Sequence, residues 1–168
     1  LAEFLENIMR LFEFQCSQKS IYLKLKMAPN LPKTVMTDKN RLSQIFINLI
    51  GNALKFTEKG GITISVKKYL EDQKYIEMSV EDTGLGIREE DRSKLFKIFG
   101  KIEQGGTIVN SQGVGLGLTI SNNLSKLLCD NKELDGIDVQ SEFKRGSKFS
   151  FIIKADLNSN DTALHTSC

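Results

Sequence analysis

The sequence predicts an α+β fold, a two-layer sandwich with three main helices on one face of a mixed, mostly antiparallel sheet. Three observations carry that expectation. Long segments with apolar residues at helical spacing are interspersed with shorter β-branched runs. Their order, from a helix and a strand through a helix, a hairpin and further helices to two closing strands, has no regular βαβ repetition. The chain has 168 residues, 40% of them hydrophobic, which suits a single domain with a sizeable core.

Residues 1–18 set Leu1, Leu5, Ile8, Met9 and Phe12 near helical spacing, and from Ser20 the stretch SIYLKLKM alternates as a strand does. Pro29 and Pro32 mark a connection. Asp38 stands where a helix N-cap belongs, ahead of KNRLSQIFINLIGNALKFT, and EKGG ends that helix. ITISVKKYL and YIEMSVED, separated by the polar EDQK, read as a hairpin. TGLGI is a glycine turn and REEDRSKLF a short helix, while GKIEQGGTIVNSQ is polar, glycine-rich and expected to be mobile. GVGLGLTISNNLSKLL turns a glycine cluster into a helix, and GIDVQSE and SKFSFIIKA supply the closing strands. One domain is expected over residues 1–155, with 156–168 a polar, disordered tail or the start of a linker.

A formal charge of +2 argues against nucleic acid or an anionic membrane as partner. Cys16, Cys129 and Cys168 show no CxxC spacing, so neither a disulfide framework nor a zinc site is indicated and a reducing, cytoplasmic setting fits. No run approaches the roughly 18 apolar residues of a membrane span. The chain begins at Leu1 without Met and is read as a fragment, monomeric in isolation, of a protein whose membrane attachment, if any, lies elsewhere.

Three constellations carry chemistry. On a helix, Asn48, Asn52 and Lys55 share one stripe, with Arg41 two turns earlier, opposite the apolar face of Ile45, Phe46, Leu49, Ile50 and Ala53. That stripe suits either a solvated face or a pocket wall offering amide oxygens and an ammonium to a metal-bound phosphate chain. Asp82 ends a β-run just before Gly84 and Gly86, as a reader of an exocyclic amine or as the capping Asp of an ordinary turn. Gly113, Gly115 and Gly117 open a helix whose amides and dipole favour phosphate, but they fit neither G-x-G-x-x-G nor a P-loop.

In order and spacing, DKNRLSQIFINLIGNALKFT, DTGLGI, LFKIF, GVGLGL and GSKFSF resemble the N box, first glycine box, F box, second glycine box and closing strand of a sensor histidine kinase's catalytic ATP-binding domain. The resemblance covers residues 1–155 and is nearest to hybrid two-component kinases. It implies the fold shared with gyrase-, Hsp90- and MutL-type ATPases, with ATP or ADP and Mg²⁺ as ligands. By that resemblance Asn52 ligates Mg²⁺, Asn48 supports metal and phosphates, and Lys55 touches the phosphate chain. Asp82 receives the adenine amine, with Gly84, Gly86, Ile87 and Ser147 nearby and Phe56 bordering the base. Gly113, Gly115, Leu116, Gly117 and Leu118 meet the phosphates, Phe96 and Phe99 anchor the lid, and Lys101 stands where many relatives have Arg or Gln. Asn48 occupies the place of the water-activating glutamate of the hydrolytic relatives and cannot act as a base, which suits a kinase.

The activity implied is transfer of the γ-phosphoryl group of Mg-ATP to a histidine on an adjoining dimerisation hairpin. A receiver domain, in cis or in trans, is the implied partner. The only histidine, His165, lies in the polar tail without the surroundings of a phosphoacceptor. A regulatory nucleotide-binding module and a conformational ATPase of the same superfamily are the two other readings.

Overall fold

The computed structural model describes residues 1–32, 34–69, 74–92, 95–96, 103–104, 107–108 and 116–155. The elements run α1 (Ala2–Gln18), β1 (Tyr22–Met27), α2 (Lys39–Phe56), β2 (Gly61–Lys68), β3 (Tyr75–Asp82), α3 (Glu89–Arg92), β4 (Glu103–Gln104), β5 (Thr107–Ile108), α4 (Gly117–Leu128), β6 (Ile137–Glu142) and β7 (Gly146–Lys154). Five strands form one sheet in the order β1-β2-β3-β7-β6. Only β1 and β2 pair in parallel, with α2 as the crossover that parallel pairing requires. The other three pairings are antiparallel, so the sheet is mixed, as expected.

Register stacks the inward side chains in rows across the sheet. Leu25, Ile64, Val80, Phe149 and Val139 form one row, and Met27, Val66, Met78, Phe151 and Ile137 form the next. The alternate positions, such as Lys24, Thr63, Glu81, Lys148 and Gln140, lie on the opposite, polar face. An ion pair of 3.0 Å joins Lys67 to Glu77 there. The apolar face is covered by α1, which packs on β1 and α2, by α2, which packs on β2 and β3, and by α4, which packs on α2, β6 and β7.

The central helix α2 has the strongest local specification. Asp38 caps it, its Oδ1 accepting from the amides of Asn40 and Arg41 at 3.0 Å each. Its Leu42, Ile45, Phe46, Leu49, Ile50 and Ala53 are buried, one turn after another. The Phe46 ring meets Phe151 edge-on with centroids 5.5 Å apart, which locks the helix to the middle of the sheet. At the other end Lys19, just past α1, donates from Nζ to Leu54 O at 2.7 Å and Thr57 O at 3.2 Å. A cation on the last carbonyls satisfies acceptors that the helix leaves open and opposes the negative end of its dipole.

Two elements differ from the expectation for the polar segment after the F box. Glu103–Gln104 and Thr107–Ile108 pair antiparallel. Two-residue strands carry no readable period, which is why the composition of this stretch did not announce them. The rest of that segment, with Phe99, Lys101, Gly113 and Gly115, lies outside the described residues, as does 156–168. Cys16 and Cys129 are buried free thiols. Among the described residues no helix is long and apolar enough to cross a membrane.

Replacing Lys19 by Met should remove the cation at the α2 carboxyl end while keeping its aliphatic stem. The expected loss is about 1 kcal/mol, or roughly 3 °C in melting temperature for a domain of this size. An unchanged melting curve would show that the contact contributes nothing to stability.

Candidate functional site

A third inward row continues the two apolar ones, with a change of chemistry partway across. It reads Leu23, Ile62, Asp82, Ser147, Ser141. The sheet therefore starts this row as core and ends it as a polar ledge under the helices. Asp82 and Ser147 are each only 7% exposed, so their polar groups need partners within the protein or a ligand.

Asp82 obtains two. Its Oδ1 accepts from Gly84 N at 2.8 Å, and the backbone of Ser147 also hydrogen-bonds the carboxylate. Burial nevertheless dominates and pushes its pKa up from 3.8 to about 6; the two backbone donors pull it down, and neighbouring Glu81 adds to the rise. Ser141 Oγ accepts from Ile87 N at 2.8 Å and lies 2.9 Å from both Gly146 O and Ser147 Oγ. The turn after β3 is thereby tied to β6 and β7.

The glycines of that turn are demanded by the protein's own backbone. A Cβ at Gly84 would lie 2.4 Å from Phe56 O and 2.8 Å from Asp82 Oδ1. Gly86 has φ +66°, and a Cβ there would lie 2.0 Å from Glu142 O. Phe56 O in turn accepts from Leu85 N at 3.1 Å, binding the end of α2 to the same turn.

Asn48, Asn52, Lys55 and Phe56 are half-buried along the C-terminal half of α2. Asn48 Nδ2 donates to Ser121 Oγ on α4 at 2.8 Å. Its Oδ1 sits over Gly117, where a Cβ would approach it to 2.2 Å. Lys55 Nζ lies 5.2 Å from the centroid of the Phe56 ring. α4 begins at Gly117, and its N-cap Leu116 makes no side-chain cap hydrogen bond. Leu118 packs on the core, and Thr119 Oγ1 donates to Phe96 O at 3.1 Å, so the F-box residue Phe96 is held by the same turn.

One end of the molecule thus brings together a buried carboxylate, a serine pair, an amide-and-ammonium helix face and a helix start whose N-cap, Leu116, offers no side-chain acceptor. A sequence profile of the family described as histidine kinase-, DNA gyrase B- and HSP90-like ATPase matches residues 37–157. The chain belongs to that family.

Several relatives of this ATPase domain are kinases by name. Hybrid signal transduction histidine kinase B of Dictyostelium discoideum is 35% identical over 164 residues, 96% of this chain and 8% of that protein. Signal transduction histidine-protein kinase BarA of Escherichia coli strain K12 is 39% identical over 161 residues, 93% of this chain and 17% of that protein. The chain therefore spans less than a fifth of these relatives. Among solved structures, full-length ShkA in complex with AMPPNP aligns with a TM-score of 0.75 and 29% identity, over 93% of this chain and 30% of that one. The nucleotide-free catalytic domain of histidine kinase ThkA aligns with a TM-score of 0.73 and 27% identity, over 92% and 94%. The near-complete coverage of ThkA's catalytic domain matches this ATPase domain to a whole folding unit.

Within the ATPase domain the described candidates form two groups, with Asn52 and Lys55 lying along α2 between Asn48 and Phe56. Asp82, Gly84, Gly86, Ile87, Phe56 and Ser147 meet at the β3 turn; Asn48, Leu116, Gly117 and Leu118 meet where α2 touches α4. Arg41 leaves the expected stripe, its Nε pairing with Asp38 at 3.2 Å at the opposite end of α2. Ser121, Thr119 and Ser141 were not singled out by sequence. The alternation Ile137, Val139, Ser141 does place Ser141 inward on β6, but the sequence separation of 73 between Asn48 and Ser121 leaves no local signal for their bond.

The raised pKa of Asp82 gives a signed expectation for the domain without nucleotide. Its folded value lies above the unfolded one, so its favourable contribution is fully present below about 3.8 and is lost as pH rises through about 6. Asp82→Asn removes that dependence. The melting temperature of the variant relative to the parent should therefore rise between pH 4 and pH 7, and a difference constant over that range would contradict the burial of the charge.

Proposed function

We propose that this chain is the ATP-binding catalytic domain of a histidine kinase, and that it delivers the γ-phosphoryl group of Mg-ATP to a histidine on an adjoining helical hairpin. The observation that carries this reading is the polar end of the inward row: a buried carboxylate with two backbone donors and acceptor capacity to spare. An exocyclic amine is the ligand group that such an acceptor suits.

In this reading Asp82 and Ser147 hold the adenine edge, with Phe56 along the base and the turn of Gly84, Gly86 and Ile87 beside it. The phosphates extend toward α4, whose first-turn amides at Leu116, Gly117 and Leu118 suit anionic oxygens, together with Gly113 and Gly115 just before it. Lys55 neutralises charge on the phosphate chain, and Lys101 is a second candidate cation for the terminal phosphate.

Among the described residues no group of three or more His, Cys, Asp or Glu side chains could hold a metal ion. Amide oxygens are hard but uncharged donors, so the residues fit an Mg²⁺ that arrives with the triphosphate and keeps several waters. Asn52 is the residue we assign to it; when bound, the ion neutralises charge on the transferring group. Asn48, with Nδ2 committed to Ser121, supports that arrangement by fixing α4 against α2, with its Oδ1 as a further hard donor. An amide at this place cannot deprotonate water, so transfer depends on positioning and charge rather than on a base in this domain. The acceptor hairpin and a receiver domain are the partners of this reading, in a protein of the hybrid type.

Joined to or mixed with a histidine-bearing hairpin, the chain should form acid-labile phosphohistidine from labelled ATP, and Asn52→Leu should abolish transfer. The same change should weaken Mg-ATP binding about tenfold or more while leaving ADP binding in chelator unchanged. Label on His165 of the chain alone, or transfer undiminished in Asn52→Leu, would contradict the assignment.

A further inference from the structure

We propose that Ser141 is a positioning residue for base specificity: it takes the hydroxyl proton of Ser147, leaving Ser147 only lone pairs to offer the base, so that the site admits an exocyclic amine and rejects an oxo group. The proposal rests on the nucleotide reading above and deepens it. Its origin is a count of protons around one oxygen.

Ser141 Oγ has three neighbours within hydrogen-bond distance. Ile87 N, at 2.8 Å, donates to it. Gly146 O, at 2.9 Å, is a carbonyl and only accepts, so the single proton of Ser141 is directed there. Ser147 Oγ, also at 2.9 Å, then has to supply the proton for the third contact. The reverse assignment would leave two oxygens 2.9 Å apart with no proton between them, facing each other with lone pairs. Ser147 consequently behaves as an acceptor toward anything else that reaches it.

Asp82 adds to the same polarity. It is the register partner of Ser147 on the same face of the sheet, and as a carboxylate it only accepts. Its bonds from the backbone of Gly84 and Ser147 fix its orientation and leave further lone pairs. Two neighbouring acceptors meet the amine of a 6-aminopurine favourably. The 6-oxo group of guanine would bring a third acceptor to the same place, a penalty that rejects it rather than merely failing to reward it.

The frame around Ser141 keeps this assignment fixed. Gly86, at φ +66° with no room for a Cβ, delivers the Ile87 amide to Ser141. Arg92 Nη2 on α3 donates to the Ser141 carbonyl, so backbone and side chain of this residue are both held. Among the described residues Ser141 contacts no candidate phosphate or metal group, and its role acts through Ser147.

The test is calorimetric titration with ADP and GDP at pH 8, where Asp82 is ionised. In Ser141→Ala the Ser147 hydroxyl is free to turn its proton toward the ligand, and the ADP-to-GDP affinity ratio should fall about tenfold. Ser141→Thr keeps the hydroxyl and should keep the ratio. Ser141→Cys, a poor donor and acceptor of similar size, should lower it in the same direction and serves if the alanine variant does not fold. In a Ser147→Ala background the further change Ser141→Ala should leave the ratio unchanged. Equal weakening of both nucleotides in Ser141→Ala, or an unchanged ratio in both Ser141→Ala and Ser141→Cys, would overturn the proposal. A parent chain that binds no ADP would instead overturn the nucleotide reading beneath it.

Discussion

The organisation of this domain depends on a carboxylate placed where its sheet would otherwise continue a hydrophobic row. Burying Asp82 costs free energy because the charged form loses water, and its upward-shifted pKa records that cost. Two backbone donors, from Gly84 and Ser147, offset part of it. Because those donors come from the turn after β3 and the start of β7, the carboxylate fixes the geometry of both. The close approaches at Gly84 and Gly86 follow: the turn must fold back onto Phe56 and Glu142 to present its amides, and only a residue without a Cβ fits.

The second constraint joins the helices. Asn48 is the member of the polar stripe whose amide bridges to α4, and the absent side chain of Gly117 lets the two helices approach closely enough for that bond. Through Thr119 the first turn of α4 then holds Phe96. The α2 face, the α4 start and Phe96 are therefore one mechanical unit resting on the Phe46–Phe151 contact beneath. The match to the histidine kinase-, DNA gyrase B- and HSP90-like ATPase family, over residues 37–157, takes in all of these pieces. The physical reason they work together is that each supplies a polar group at one end of a single core.

What the sequence made legible was whatever is encoded locally. The 3.6-residue period of Leu42 to Ala53, the cap at Asp38 and the alternation in β2 and β3 each follow from neighbouring residues, and all three stand in the structure. The parallel pairing of β1 with β2 is different, because nothing in Tyr22–Met27 names its partner. Arg41 shows the limit of periodicity: it has the spacing of the polar stripe, yet a nearer carboxylate, Asp38, captures it. At the glycines after Asp82, the space a side chain would need is filled by the carbonyls of Phe56 and Glu142, partners that neighbouring residues do not name. Asn48 and Ser121, or Ser141 and Ile87, meet only after the fold forms, so chemistry read along the chain cannot join them.

In the proposed reading the polar end of the third row accepts an exocyclic amine. This is tested most directly by comparing ADP with the purine riboside diphosphate that lacks the 6-amino group, in calorimetry at pH 8. The two ligands share phosphates, ribose and ring stacking and differ only in the group that Asp82 and Ser147 would accept. Loss of the amine should weaken binding by about tenfold or more in the parent chain and far less in Asp82→Ala. Equal affinity of the two ligands for the parent chain would place the base elsewhere and leave the buried carboxylate without a functional explanation.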